Sequence, residues 1–181
     1  MPLNPFTLLG LPHSFDLSTT EIETAYLRRV AAAHPDSGVD ATADDASDNI
    51  APLNNARDTL LNPESRANAL LHTLGGPSSS QCDELPKSFL AEILHQRMQI
   101  EEDLQADPTT ARPKWSAWAE EERSRIIQGL RPLFQAATPA TPEIRLQIRT
   151  GLNAWRYIER LIEQLRPDYD PGRNDFPQPK P

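Results

Sequence analysis

A single cysteine, Cys82, excludes an internal disulfide and any zinc site built on a cysteine pair. No apolar run approaches the roughly 20 residues that cross a bilayer. With a mean hydropathy of −0.58, the chain reads as soluble, with no membrane partner expected. The opening MPLNPFTLLGLPHSF lacks a basic n-region, an apolar h-region and an Arg/Ser-rich amphipathic pattern. Neither a signal nor a transit peptide is read there, and the cytoplasm is the expected compartment. Strand signals are missing too: there is no sustained alternation and the β-branched residues are scattered, so the class is all-α.

Lysine is absent from residues 1–75, where four arginines face ten acids for a net −6. Residues 76–181 carry fourteen basic groups against sixteen acids, and the whole chain stands at −8. That balance argues against a nucleic-acid partner, which needs a basic face for the phosphates. Catalytic patterns are also lacking. His13, His34, His72 and His95 occur singly, with no phosphate-cradling glycine loop and no HExxH helix. The acids Glu101-Glu102-Asp103 and Glu120-Glu121-Glu122 fan out around a helix and read as solvated faces. No enzyme activity, metal or cofactor is expected.

What the chain has is helical spacing, divided by 18 prolines. A short helix is expected from Pro5 to Gly10. Ser18-Thr19-Thr20-Glu21 is a capping box, in which the cap hydroxyl and the glutamate each satisfy an end amide. It opens a helix whose apolar face is Ile22, Ala25, Tyr26, Val30 and Ala33. A loop should follow over 34–45, then a helix starting near Asp44 or Asp45, or at Ile50 with Pro52 in its first turn. A fourth segment spans Glu64 to Leu74. GGPSSSQCDELP has linker composition. Beyond it, the spacing predicts helices over Lys87–Leu104, over Lys114 to about Ala137 with a kink at Pro132, and from the cap Thr141-Pro142-Glu143 to just before Pro167. Three amphipathic helices with turn-rich joins suggest an antiparallel bundle. The tail RPDYDPGRNDFPQPKP is too polar and proline-rich to fold alone.

His34-Pro35-Asp36 closes the second helix, after an alanine run, and a polar loop and a returning helix come next. That places the tripeptide at the tip of a helical hairpin, where proline fixes one backbone angle and the two polar side chains can meet a partner.

A short leading helix, a helix ending in HPD and a returning helix resemble a J-domain. The opening PFTLLGLPHSFDLSTTEIETAYLRRVAAAHPD is similar to the start of the HscB co-chaperones. LLNPESRANALL, at 60–71, resembles the segment that leads out of their J-domain. SFLAEILHQRMQIEEDL, at 88–104, and AWRYIERLIEQL, at 154–165, resemble the first and last helices of their C-terminal three-helix bundle. The resemblance implies a J-domain over 1–75, a linker over 76–86, a bundle over 87–166 and a disordered tail over 167–181.

The same resemblance implies a co-chaperone that is probed through two surfaces. The J-domain would dock on a DnaK/HscA-type chaperone ATPase through His34, Pro35 and Asp36, with Arg28 and Arg29 before them, and stimulate ATP hydrolysis. The bundle would hold an iron–sulfur scaffold protein through Leu90, Leu94, Glu102 and Tyr157, with the protein acting as a monomer. Several positions depart from the family pattern. Ala31-Ala32-Ala33 replaces a run with a tyrosine and basic residues, Arg29 stands where a core leucine is usual, and Ser37 replaces a common lysine. His95 and Met98 stand in place of glutamates. The alternative expectation is a diverged J-like interaction module without ATPase stimulation.

Overall fold

A computed structural model describes residues 4–33, 43–136 and 141–169, with the backbone alone over 43–49. Seven helices account for the regular structure of these residues, and no strand occurs among them. They are α1 (Pro5–Leu9), α2 (Thr19–Ala33), α3 (Ala43–Leu61), α4 (Pro63–Thr73), α5 (Lys87–Ala106), α6 (Pro108–Ala136) and α7 (Pro142–Gln164). The chain forms two compact units, Met1–Asp83 with Leu130–Leu152, and Glu84–Gly129 with Asn153–Pro181.

Most helix starts follow the sequence signals. Asn4 accepts from the amides of Phe6 (2.9 Å) and Thr7 (3.4 Å), with Pro5 at the first helical position. The capping box forms as read: the Ser18 amide donates to Glu21 Oε2 at 2.8 Å, and the Glu21 amide donates to Ser18 Oγ at 3.2 Å. Asn62 accepts from the Ser65 amide at 2.9 Å, ahead of α4. Thr141 accepts from the Ile144 amide at 3.4 Å, ahead of α7.

Three expectations are corrected. Helix α3 starts at Ala43, as the expected start near Asp44 or Asp45 has it, so the alternative start at Ile50 fails and Pro52 lies well inside the helix. The proline deletes one backbone bond, but Leu53, Ala56 and Leu60 are buried around it and outweigh that loss. Helix α6 begins at Pro108, six residues before Lys114. The signal is Asp107-Pro108: Asp107 accepts from the Thr109 amide at 3.0 Å and the Thr110 hydroxyl at 2.8 Å, and proline takes the first helical position. Asp107 is therefore the sole residue between α5 and α6. In the acidic run, Glu122 is buried, at 7% exposure, and pairs with Arg125 at 2.6 Å, so that run is not uniformly a solvated face.

In the first unit, α1 and α2 both pack on α3, and α4 follows at a tight turn. Phe6, Ile22 and Leu60 are fully buried in this core. Phe15 stacks on Phe134 with ring centroids 5.1 Å apart. Arginines bind main-chain oxygens and polar side chains here. Arg66 lies over the Phe15 ring and donates to the Leu60 carbonyl at 2.7 Å. Arg145 donates to the Leu74 and Gly75 carbonyls at 3.3 and 3.1 Å, where Gly75 has φ +71°. Arg149, 2% exposed, donates to Asn68 Oδ1 at 2.8 Å, and Arg131 pairs with Asp16 at 3.1 Å.

In the second unit, Phe89, Ile93 and Ile100 of α5 meet Ala111, Trp115 and Ala119 of α6 and Ala154, Ile158, Leu161 and Leu165 of α7 in one core. Those α7 residues recur at three- and four-residue intervals, which puts them on one face. Trp115 places its indole N–H on Asp103 Oδ2 at 2.9 Å, satisfying a buried donor, and Lys114 reaches the same oxygen at 2.7 Å. Arg112 donates to the Leu165 and Arg166 carbonyls, at 3.0 and 2.8 Å, and closes the end of α7.

Truncating Ile158 to Ala should lower unfolding free energy by about 2–5 kcal/mol through lost burial and the cavity left behind. Ser18→Ala should cost about 1 kcal/mol through the lost cap. Urea denaturation checks both, and an Ile158→Ala midpoint equal to wild type would contradict the packing described.

Candidate functional site

The hairpin surface is built on α2 and α3. Glu23 accepts from Arg57 through Nε at 3.0 and 2.9 Å and through Nη2 at 2.7 Å. One turn further along α2, the Tyr26 hydroxyl donates to Asn54 Oδ1 at 2.7 Å, and the Arg57 guanidinium lies 5.2 Å from the Tyr26 ring centroid. Residue numbers rise along α2 as they fall along α3, so the two rungs set an antiparallel register. The guanidinium holds the Glu23 carboxyl below the usual carboxylate range, since its hydrogen bonds favour the ionised form.

His34, Pro35 and Asp36 follow directly on Ala33 and lie outside the described residues. Arg28 is exposed on α2. Arg29 is exposed as well, but its head lies over the end of α1: a Cβ at Gly10 would stand 2.7 Å from Arg29 Nη2. Gly10 ends α1 with φ +68°, a conformation that costs glycine little. Leu27, 63% exposed beside Arg28, was not among the sequence candidates. It is an apolar residue off the buried Ile22–Ala25 face, and that displacement was the available signal.

The second surface lies on α5. Leu90 is 46% exposed and Leu94 60% exposed, while Phe89 and Ile93, one residue before each, are buried. Met98 continues the stripe at 70% exposure. Leu90, Leu94, Met98 and Glu102 recur every four residues, so they lie along one slowly winding line of the helix. Glu102 is exposed at its end, and the Gln99 amide donates to it at 3.5 Å.

Tyr157 reaches α5 from α7. Its half-buried ring stands edge-on to Phe89, with centroids 5.8 Å apart. Arg97 covers the ring at 5.9 Å and donates to the phenol oxygen at 3.3 Å and to Gln164 Oε1 at 3.5 Å. Phe89 adjoins Leu90 and Arg97 lies three residues past Leu94, so Tyr157 is attached beside the apolar stripe. Arg97 and Met98 were not site candidates; the i+4 and i+8 spacing from Leu90 would have picked out Met98. Among the described residues, no group of three or more His, Cys, Asp or Glu side chains could hold a metal ion, and no helix is long and apolar enough to cross a membrane.

No family model matches the chain. It is similar to a co-chaperone protein HscB homolog of Mannheimia succiniciproducens, at 30% identity over 168 residues that take in 90% of this chain and 88% of that one. The chain belongs to the HscB co-chaperone family. It is also similar to the J-type co-chaperone jac1, mitochondrial, of Schizosaccharomyces pombe, at 26% identity, and spans 65% of that protein's length. The chaperone HscB structure from Vibrio cholerae matches with a TM-score of 0.67 at 23% identity, covering 90% of this chain and 95% of that one. At that identity the likeness is one of fold. Its all-helical fold matches HscB structures, which carry a J-domain and a helical bundle.

Charged contacts around both surfaces carry an acid dependence. Hydrogen bonds from Arg57 hold Glu23 low, and those from Lys114 and Trp115 hold Asp103 low. The folded chain then keeps these carboxyls ionised where the unfolded chain has begun to take up protons. Their stabilisation is full above the ordinary carboxylate range and is lost as pH falls through it to the depressed native values. Urea midpoints measured against pH should fall on the acid side, and Glu23→Gln and Asp103→Asn should each make that fall shallower. An acid limb of unchanged slope in both variants would contradict the assignment.

Proposed function

We propose that this HscB-family protein is a cytoplasmic, monomeric co-chaperone in iron–sulfur cluster assembly, joining a DnaK/HscA-type chaperone ATPase to an iron–sulfur scaffold protein. His34, Pro35 and Asp36, with Arg28 and Arg29 on the preceding helix, contact the chaperone and stimulate ATP hydrolysis. Leu90, Leu94, Glu102 and Tyr157 hold the scaffold. The protein itself performs no chemistry.

The observation that carries this reading is the exposure of Leu90 and Leu94 beside buried Phe89 and Ile93. Large apolar side chains left in water along a helix face gain free energy when a partner covers them, at about 25 cal/mol per Å². A charged rim of Arg97 and Glu102 suits a reversible interface with an apolar centre.

A second reading is supported by Arg29. Its guanidinium lies against Gly10, and residues 1–75 carry a net −6, so positive charge for an acidic chaperone surface is sparse. On this reading the chain binds the scaffold without accelerating ATP turnover.

Single-turnover ATP hydrolysis by the chaperone decides between them. Acceleration by the wild type and its loss in Asp36→Asn is the expected result; no acceleration, with scaffold binding that survives His34→Ala, selects the second reading. Leu94→Asp should weaken scaffold binding roughly tenfold or more, as removal of a central apolar contact does. Titration calorimetry measures it, and unaltered affinity would remove this face from the interface.

A further inference from the structure

We propose that Met98 is an oxidation site at which a hydroperoxide weakens docking on the α5 face; the inference rests on the scaffold-binding reading above. The chain has two methionines, Met1 and Met98, of which Met98 lies among the described residues. At 70% it is the most exposed large apolar side chain among the described residues, and it follows Leu90 and Leu94 at the same four-residue interval. Exposure of that degree gives an oxidant access to the sulfur.

The step is a two-electron oxygen transfer. The thioether sulfur attacks the peroxide, the O–O bond breaks, one oxygen becomes the sulfoxide, and the peroxide is reduced to water or the corresponding alcohol. An apolar, flexible side chain is thereby replaced by one with a strong acceptor dipole. That oxygen is solvated while the face is open to water and must lose its water when a partner covers it. Oxidation therefore acts on the bound state and leaves the folded monomer intact. Ile100, the next apolar residue along α5, is 6% exposed and belongs to the core, so the modified side chain lies outside the packing that holds the bundle.

The test uses the full chain, hydrogen peroxide and the iron–sulfur scaffold protein encoded by the same genome. Sulfoxide formation at Met98 is followed by peptide mass, and Kd is measured before and after treatment. Oxidised wild type should bind about tenfold more weakly, the equivalent of losing one buried apolar side chain. Methionine sulfoxide reductases should restore it, and bound scaffold should slow the oxidation. Met98→Leu, whatever its starting affinity, should give the same Kd before and after peroxide, which separates Met98 from Cys82. Full conversion of Met98 with unaltered Kd, equal oxidation rates with and without scaffold, or an equal loss in Met98→Leu would each overturn the proposal. Absence of binding by untreated protein would instead overturn the scaffold reading, and the switch with it.

Discussion

Every helix leaves its last carbonyls without intrahelical donors, and a chain with seven glycines in 181 residues has few positions that can turn back to satisfy them. Arginine takes over much of that task. Arg66 serves the end of α3 at Leu60, Arg145 the end of α4 at Leu74 and Gly75, and Arg112 the end of α7 at Leu165 and Arg166. A cation at the negative end of a helix also opposes its dipole favourably. Each guanidinium comes from another helix or from beyond a turn, so satisfying the ends also fastens neighbouring elements. The many arginines are thus partly an architectural substitute for glycine.

The same division explains which polar groups remain for partners. Arg57, Arg66, Arg145 and Arg149 are engaged within the first unit, and Arg29 is laid over Gly10. On α2 that leaves Leu27 and Arg28 as exposed large side chains, seven and six residues before His34 in sequence. On α5 the apolar residues exceed what one core face needs: one set is buried, and the adjacent set of Leu90, Leu94 and Met98 is in water.

The helices were largely legible in the sequence because their starts are chemical: Ser18 with Glu21, Asn62 before Pro63, and Thr141 before Pro142 all form the caps they spell. The start of α6 was missed because Pro108 opens the helix, while Pro113 lies inside it, past the first turn, at the cost of one backbone bond. Periodicity identified the apolar residues of α5 but could not separate buried from exposed ones. Ile93 and Leu94 are neighbours in sequence and chemically alike; only the presence of α6 and α7 on one side distinguishes them. Contacts such as Arg149 with Asn68, 81 residues apart, leave no local trace at all.

Helices α5 and α6 share Asp107 as their only joint. A helix advances about 100° per residue, so one residue inserted there would rotate the start of α6 out of phase, carrying Ala111 and Trp115 away from the side they now occupy. The register of α2 and α3, by contrast, is set by side-chain rungs between the two helices, Glu23–Arg57 and Tyr26–Asn54. Evolution and protein engineering alike therefore have little room to vary chain length at Asp107, where α5 and α6 meet through one residue.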